Sequence, residues 1–421
     1  MAPLNRLRLR NIRCFRDVEL PLDDRLTVIV GGNGAGKTTV MEALASLASG
    51  EDEGLSEFPV RRGCKSGEVA VFEDGKQAAA ARWSSGGAHG RLPRDRYVFL
   101  YGRYRRVFSH DADAGSSASA LDLLSELPAR ATKAATATLR RPDNHLLRDL
   151  TRYLEALDYG RAFDPRLDGI WNSLRSSLMA MDAGLSDLRM EDGKYRRVPM
   201  IVRNGVSLEF SELSDGYQAL LVVVIDLMLR YAYLFLDLAN PLDGAALVGI
   251  DEVDLHLHPR WQRSVVSQLT KLFPNTQFVL TTHSPIVVQA AIDDGKAKVV
   301  ALREKDGEVQ ARVLSPRMMA GLKGAEVGSL LLEDQLFGVD SRYSMEFSGV
   351  EDEVDRLQKK IRRGTASEAD FERLSAGIRE MERLVAREDE RRASGSILTQ
   401  MVKMQAAFVQ KLIEEFRSAK Q

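Results

Sequence analysis

Eight consecutive residues, Gly31-Gly32-Asn33-Gly34-Ala35-Gly36-Lys37-Thr38, carry the most specific chemistry in the chain. Their G-x-x-x-x-G-K-T spacing lets backbone N–H groups turn inward around phosphate oxygens, while a following helix points its positive end at the same anion. In that arrangement Lys37 reaches the β and γ phosphates of a nucleotide and the Thr38 hydroxyl binds Mg²⁺. The expected cradle is Asn33, Gly34, Ala35, Gly36, Lys37, Thr38 and Thr39. A second candidate is Asp251-Glu252, which ends the apolar run Leu247-Val248-Gly249-Ile250. Two acids end many strands. Beside a phosphate loop, however, Asp251 would complete the Mg²⁺ shell through water and Glu252 would act as general base on an attacking water. His256 and His258 form an H-x-H pair, but no Cys or further His lies near enough in sequence to build a zinc site, and none is assigned.

These groups need elements to hold them. Leu26-Thr27-Val28-Ile29-Val30 reads as a strand buried on both faces, running into the loop and then a helix from about 38 to 47. Residues 5–30 read as two strands turning at Pro21-Leu22-Asp23-Asp24, and Asp74-Gly75 reads as a hairpin turn. Residues 112–137, rich in Ala, Ser and Thr, read as a surface insertion. Residues 142–183 carry a leucine face at helical spacing. A meander follows, turning at Asp192-Gly193 and Asn204-Gly205. Then come an apolar helix (218–237), a strand (245–250), a helix (259–272), a strand (277–281) and two short strands (298–303, 308–314). From Val350 the chain is helical and charged. Phe371, Leu374, Ile378, Met381 and Val385 form one seam, Ile397, Met401, Met404, Phe408 and Leu412 another, and Thr365 with Glu368 offers a capping box.

Three further segments complete an ordered set. Leu213-Ser214-Asp215-Gly216-Tyr217-Gln218 resembles the ABC-type signature in its LSDG form. Val253-Asp254 leading into Leu255-His256-Leu257-His258-Pro259 resembles a D-loop, and Thr281-Thr282-His283-Ser284-Pro285 a switch-histidine motif. With Asn11-Ile12-Arg13-Cys14-Phe15 at the front, the chain resembles the AAA-labelled, RecF-like and OLD-like ATPases of DNA repair and phage defence. The likeness includes the Septu and retron-associated ATPases and covers about residues 4–290. It implies an α/β fold, an ABC-type P-loop ATPase head of mixed sheets with helices, carrying a helical insertion and a C-terminal helical tail. It implies ATP and Mg²⁺ as ligands. Lys37, Glu252 and His283 would be catalytic, Thr38 and Asp251 would hold the metal, and Ser214, Asp215 and Gly216 would form a second anion site. In the family that site closes over ATP bound by another subunit, making a head-to-tail dimer. No glutamine-loop residue is assigned.

Composition limits the alternatives. With 59 Lys+Arg against 60 Asp+Glu in 421 residues, the net charge of -1 excludes polyanion binding by bulk charge alone. DNA contact would need a local patch, and Arg91 to Phe108 interleaves arginines with Tyr97, Phe99, Tyr101 and Tyr104. That stretch also reads as a core strand. Two cysteines, Cys14 and Cys64, make no disulfide framework, and no apolar run reaches membrane-span length. A cytoplasmic protein without a membrane partner is expected. The 177 positions from Lys37 to Ser214 cannot hold a long coiled-coil arm. The expected organisation is a head over 1–345 with an insertion at about 110–185, and a helical region over 346–421. No nuclease constellation is visible, so any effector would be a separate chain, such as a nuclease held through the C-terminal helices. Two other readings stay open: a DNA repair or recombination clamp, and an ATP-stabilised scaffold with little turnover.

Overall fold

The computed structural model describes residues 2–49, 60–84, 87–89, 96–103, 145–163, 165–182, 184–192, 197–235, 237–305, 307–325, 345–363 and 365–392, with scattered single positions after 325. The chain divides into two compact units, Met1–Gly338 and Val339–Gln421.

In the first unit the order is β1 (Arg6–Ile12), β2 (Phe15–Pro21), β3 (Leu26–Gly31), α1 (Lys37–Ser49), β4 (Gly67–Glu73), β5 (Lys76–Ser84), β6 (Gly87–His89) and β7 (Val98–Tyr101). Next come α2 (His145–Gly160), α3 (Pro165–Met181), β8 (Leu185–Asp192), β9 (Arg197–Arg203), β10 (Val206–Glu209) and α4 (Asp215–Leu234). The unit continues through β11 (Leu247–Ile250), α5 (Pro259–Leu272), β12 (Gln277–Thr282), α6 (Pro285–Asp294), β13 (Lys298–Lys305), β14 (Glu308–Val313) and α7 (Pro316–Leu322).

The strands form a six-stranded sheet ordered β14-β13-β3-β12-β11-β7, a five-stranded sheet β2-β1-β4-β5-β6 and a three-stranded sheet β10-β9-β8. In the first, β13, β3, β12, β11 and β7 run parallel, with β14 antiparallel at the edge. Alternate side chains of these apolar strands enter two different cores, as the period of two requires. Val28, Val30, Phe278, Leu280, Val299 and Ala301 join the core under the helices that follow β7. Ile29, Val279, Val300 and Leu302 join the core that holds α1 against the five-stranded sheet. The central helix is thus clamped between two sheets. Because neighbours are parallel, the loops after β3, β11 and β12 emerge on one edge.

The apolar α4 is buried from Gly216 through Ala232. It is the one helix among the described residues long and apolar enough to cross a membrane, but 89% of that window lies inside the unit. Its charges are internally satisfied. Arg230 donates to Asp226 at 2.5 and 2.8 Å, and the Tyr101 hydroxyl donates to the same carboxylate at 2.6 Å.

Several expectations needed correction. The segment before the loop holds three strands, because β1 and β2 turn at Arg13-Cys14 with Asn11 at φ 52 and Arg13 at φ 43. The helix expected at 218–237 begins at Asp215, since Ser214 is its N-cap. Asn204-Gly205 turns as expected, at φ 50 and 79. In the Arg91–Phe108 stretch, Arg96 pairs with Glu73 at 2.6 Å, and Tyr97 packs edge-on against Phe235 at 5.3 Å. Phe99 and Tyr101 are core residues of β7, whereas Arg103 is exposed just beyond it. Arg91, Arg94, Tyr104, Arg105, Arg106, Phe108, the Ala/Ser/Thr-rich insertion 112–137 and Gly193 lie outside the described residues.

The second unit contains α8 (Met345–Arg362) and α9 (Glu368–Arg392). Phe371 is buried, and Leu374, Ile378 and Met381 pack with Val354, Leu357, Val402 and Val409. The described part of that seam, Phe371 to Met381, packs within the unit itself, while the Val385 side chain and Ile397, Met401, Phe408 and Leu412 lie outside the described residues. Met404, expected in the second stripe, is 74% exposed, while Val402 and Val409 face inward. The cap of α9 is Ser367 with Asp370, whose N–H and carboxylate exchange bonds with Ser367 at 3.3 and 2.9 Å. Thr365 instead donates to the Lys360 carbonyl at the end of α8.

Candidate nucleotide site

The loop from Gly31 to Lys37 leaves β3 at the C-terminal edge of the parallel sheet. Gly34 and Gly36 take φ values of 79 and 93, which a side chain resists. Gly36 also has no room for a methyl group, since a Cβ would lie 2.5 Å from Phe15 Cζ and 2.8 Å from Cys14 Sγ. The β1–β2 turn is thus a wall of the loop. Lys37 Nζ donates to the Gly31 and Gly32 carbonyls at 2.8 and 2.9 Å and stands 3.5 Å from His283 Nδ1. Burial holds the Lys37 ammonium below its ordinary pKa, against the pull of Asp251, Glu252 and Asp254. Burial, then the nearby Lys37 charge, lowers the His283 pKa and favours the neutral imidazole.

Thr38 Oγ1 donates to Asp251 Oδ2 at 2.8 Å, joining the first turn of α1 to the end of β11. Asp251 is fully buried, and its other oxygen accepts from Thr281 Oγ1 at 2.6 Å. The same Thr281 hydroxyl accepts from the Glu252 N–H at 2.7 Å. Glu252 sits at φ 49, a left-handed conformation unusual for its type, and turns the chain sharply after the strand. One residue pair further, Asp254 Oδ1 accepts from Thr282 Oγ1 at 2.5 Å and from the His283 N–H at 3.3 Å. Lys37, Thr38, Asp251 and His283 are therefore brought together by β3, β11 and β12. A hydroxyl beside a buried carboxylate is a hard-oxygen set that suits Mg²⁺, and a lysine folded onto a glycine-rich loop at a helix N-terminus suits a polyphosphate. The donor chemistry fits both ligands.

Ser214 and Asp215 are exposed at the start of α4. The Ser214 side chain makes no cap bond, whereas Ser284 caps α6 by accepting from Ile286 and Val287. Gly216 fits because of a close approach that the sequence does not show: a Cβ there would lie 1.9 Å from the His256 carbonyl oxygen. The signature and the loop after Glu252 are thus packed together within one chain. His258 caps α5, its Nδ1 accepting from the Arg260 N–H at 3.3 Å. Among the described residues no group of three His, Cys, Asp or Glu could hold a metal alone.

Thr281, Asp254, Phe15 and Tyr217 stand inside motifs quoted from the sequence but carried no assigned role there. For Thr281 the further signal was the polar pair Thr281-Thr282 ending a mostly apolar strand.

Known proteins resemble this chain in sequence. Over 116 residues the chain is 39% identical to the "Retron Vc95 probable ATPase" of Vibrio cholerae, covering 28% of this chain and 22% of that protein. The "Septu protein PtuA" of Bacillus thuringiensis is 26% identical over 372 residues, covering 82% of this chain and 86% of that one. The chain thus matches about a fifth of the retron ATPase's length and most of the Septu protein's. An Smc head domain with a coiled coil, bound to the C-terminal domain of ScpA and derived from Pyrococcus furiosus, aligns with a TM-score of 0.49 at 16% identity, covering 76% of this chain and 98% of that one. The family model described as "AAA domain, putative AbiEii toxin, Type IV TA system" matches residues 26–289, more than half the chain, and the protein belongs to that family.

Proposed function

We propose that the chain is an Mg²⁺-dependent ATPase that dimerises head-to-tail around ATP and regulates a nucleic-acid-directed effector in anti-phage defence. The observation that carries this reading is the convergence of Lys37, Thr38, Asp251 and His283, with Thr38 bonded to Asp251 at 2.8 Å. The likeness to retron and Septu proteins supports the defence setting.

Each residue has a task in that reading. Lys37 exchanges its contacts with the Gly31 and Gly32 carbonyls for phosphate oxygens. Thr38 and Asp251 hold the metal ion, which when bound neutralises charge developing on the phosphates. Thr281 fixes both Asp251 and the Glu252 backbone, so the base leaves the strand in one direction. Glu252 takes a proton from the attacking water. A neutral His283 can donate one N–H to a phosphate oxygen while its other nitrogen faces Lys37.

Ser214 and the first amides of α4 form an anion site at a helix N-terminus, suited to the γ-phosphate of a second protomer. Hydrolysis removes that bridging charge and loosens the dimer. The effector, a nuclease in this reading, docks on the C-terminal helices. Since the 371–381 seam is internal, docking uses exposed positions such as Met404. DNA contact falls to Arg91, Arg94, Arg103, Arg105 and Arg106, since Arg96 is paired with Glu73.

The test is phosphate release by wild type, Lys37→Ala and Glu252→Gln, with and without DNA, beside direct ATP binding. The reading expects Mg²⁺-dependent turnover, lost binding in Lys37→Ala, and retained binding without turnover in Glu252→Gln. Bound ATP with no turnover under any condition would favour a static scaffold instead.

A further inference from the structure

The first turn of α4 carries the proposed anion site but receives no side-chain cap from Ser214. Other helices of this unit are capped: Ser284 on α6, His258 on α5 and Ser315 on α7 all accept backbone N–H groups. The absence of a side-chain cap removes one restraint on the direction of the first-turn N–H groups. Gln218 Nε2 donates to the Leu213 carbonyl at 2.6 Å and anchors the turn from within the helix; a second bond ties it to another element.

Tyr217, the third residue of α4, does so from outside the helix. Its hydroxyl donates to Asp182 Oδ2 at 2.7 Å, just past the end of α3. Arg203 Nε, at the end of β9, donates to the same oxygen at 3.1 Å, and its guanidinium lies 4.9 Å from the Tyr217 ring centre. The Gly184 N–H donates to Asp182 Oδ1 at 2.9 Å, so both carboxylate oxygens are engaged. Trp261 of α5 meets the Tyr217 ring edge-on at 5.3 Å. Gln268 of the same helix donates to the Met181 carbonyl at 2.7 Å, pinning the end of α3 from a second side. Four elements therefore meet at one phenol, next to the residues that present the anion site.

We propose that Tyr217, Asp182 and Arg203 form a positioning cluster that presets the Ser214–Gly216 anion site, and that through it the helical pair α2–α3 and the β8–β10 meander control how readily that site engages ATP held by a second copy of the chain. The inference rests on the composite-site reading above. None of the three residues touches substrate in this account; they set the direction of the N–H groups that do. A hydrogen bond to an ionised carboxylate is stronger than a neutral one, and it fixes the phenol in a way that apolar packing of the same ring would not. Any movement of α3 or of the Asn204-Gly205 turn would be delivered to the signature through Asp182. This gives α2–α3 and the β8–β10 meander, which carry no residue of the phosphate loop, a role in gating hydrolysis.

The test uses full-length Tyr217→Phe and Asp182→Asn, with Ser214→Arg as reference. Three quantities are read: ATP affinity at low protein, thermal midpoint, and hydrolysis rate against protein concentration. We expect Tyr217→Phe to bind ATP within twofold of wild type and to melt only a few degrees lower, as the loss of one bond requires. The protein concentration for half-maximal rate should rise about tenfold, the size of one charge-assisted bond. Asp182→Asn should shift it in the same direction. Both variants hydrolysing like wild type at every protein concentration, while Ser214→Arg is inactive, would overturn this inference alone. Loss of ATP affinity and melting temperature together would also overturn it, since that marks a merely structural role. Normal hydrolysis by Ser214→Arg would instead overturn the composite-site reading beneath it.

Discussion

Replacing Thr281 with valine asks how much of the acidic site depends on one buried hydroxyl. Thr281 is fully buried at the end of β12, and valine keeps its shape while exchanging the oxygen for a methyl group. Two bonds are lost, the donation to Asp251 Oδ1 at 2.6 Å and the acceptance from the Glu252 N–H at 2.7 Å. A bond to a charged group contributes about 1.5–3 kcal/mol, and a buried N–H deprived of its partner costs about 1–3 kcal/mol. The expected loss is roughly 3–5 kcal/mol, a large share of the about 5–15 kcal/mol that stabilises a typical domain. Thr281→Ser keeps both bonds and removes one methyl, which costs about 1 kcal/mol. Urea unfolding of the two variants should therefore separate them by about 2–4 kcal/mol. The Mg²⁺ concentration for half-maximal phosphate release should rise about 10- to 100-fold in Thr281→Val only, as expected when the group orienting a metal ligand is removed. Valine and serine variants with the same urea midpoint and the same Mg²⁺ dependence would refute the reasoning, because the hydroxyl would then carry neither carboxylate nor turn.

Gly36→Ala should weaken ATP binding at least about tenfold in a fluorescent-nucleotide titration. The residue combines a φ of 93 with a Cβ position 2.5 Å from Phe15 Cζ, and a left-handed alanine alone costs about 1–2 kcal/mol. The lowered pKa of His283 gives a pH signature. Its folded form binds a proton less readily than the unfolded chain, so the stability tied to the neutral ring is present above about pH 6.5 and is lost as pH falls through the folded value. Thermal melts of His283→Gln should accordingly fall less steeply than wild type between neutral and acid pH, and identical pH profiles would contradict the assignment. Met381→Ala should destabilise the Val339–Gln421 unit by about 2–5 kcal/mol by emptying part of its small core, measured by urea unfolding, with ATP affinity unchanged.

The phosphate loop was legible because its strand is apolar at every position from Leu26 to Val30 apart from Thr27, and its glycine spacing has one mechanical meaning. The helix at 259–272 was legible because Pro259 sets its first turn. What the sequence hid was of two kinds. Turns made by residues other than glycine, at Asn11 and Arg13, carry no compositional flag, so a hairpin was read as one strand. Contacts between distant residues were also invisible: Tyr217 with Asp182, Gly216 with His256, and Gly36 with Phe15 exist only once the sheets are stacked. The α9 cap was misplaced by two residues because Thr365 and Ser367 both precede an acid three positions later, and only packing chooses Ser367. The seam at 371–381 was visible as a stripe, but periodicity cannot tell whether its partner lies inside the chain.

The central claim is that one protomer's Lys37 works with another protomer's Ser214. It is tested most directly by mixing Lys37→Ala with Ser214→Arg and measuring phosphate release. Each variant alone should be inactive. An equal mixture forms about one half heterodimers, each with one intact composite site, so activity should return to about a quarter of wild type. Wild-type hydrolysis by Ser214→Arg alone would contradict the account, because the phosphate loop would then need no signature from a second chain.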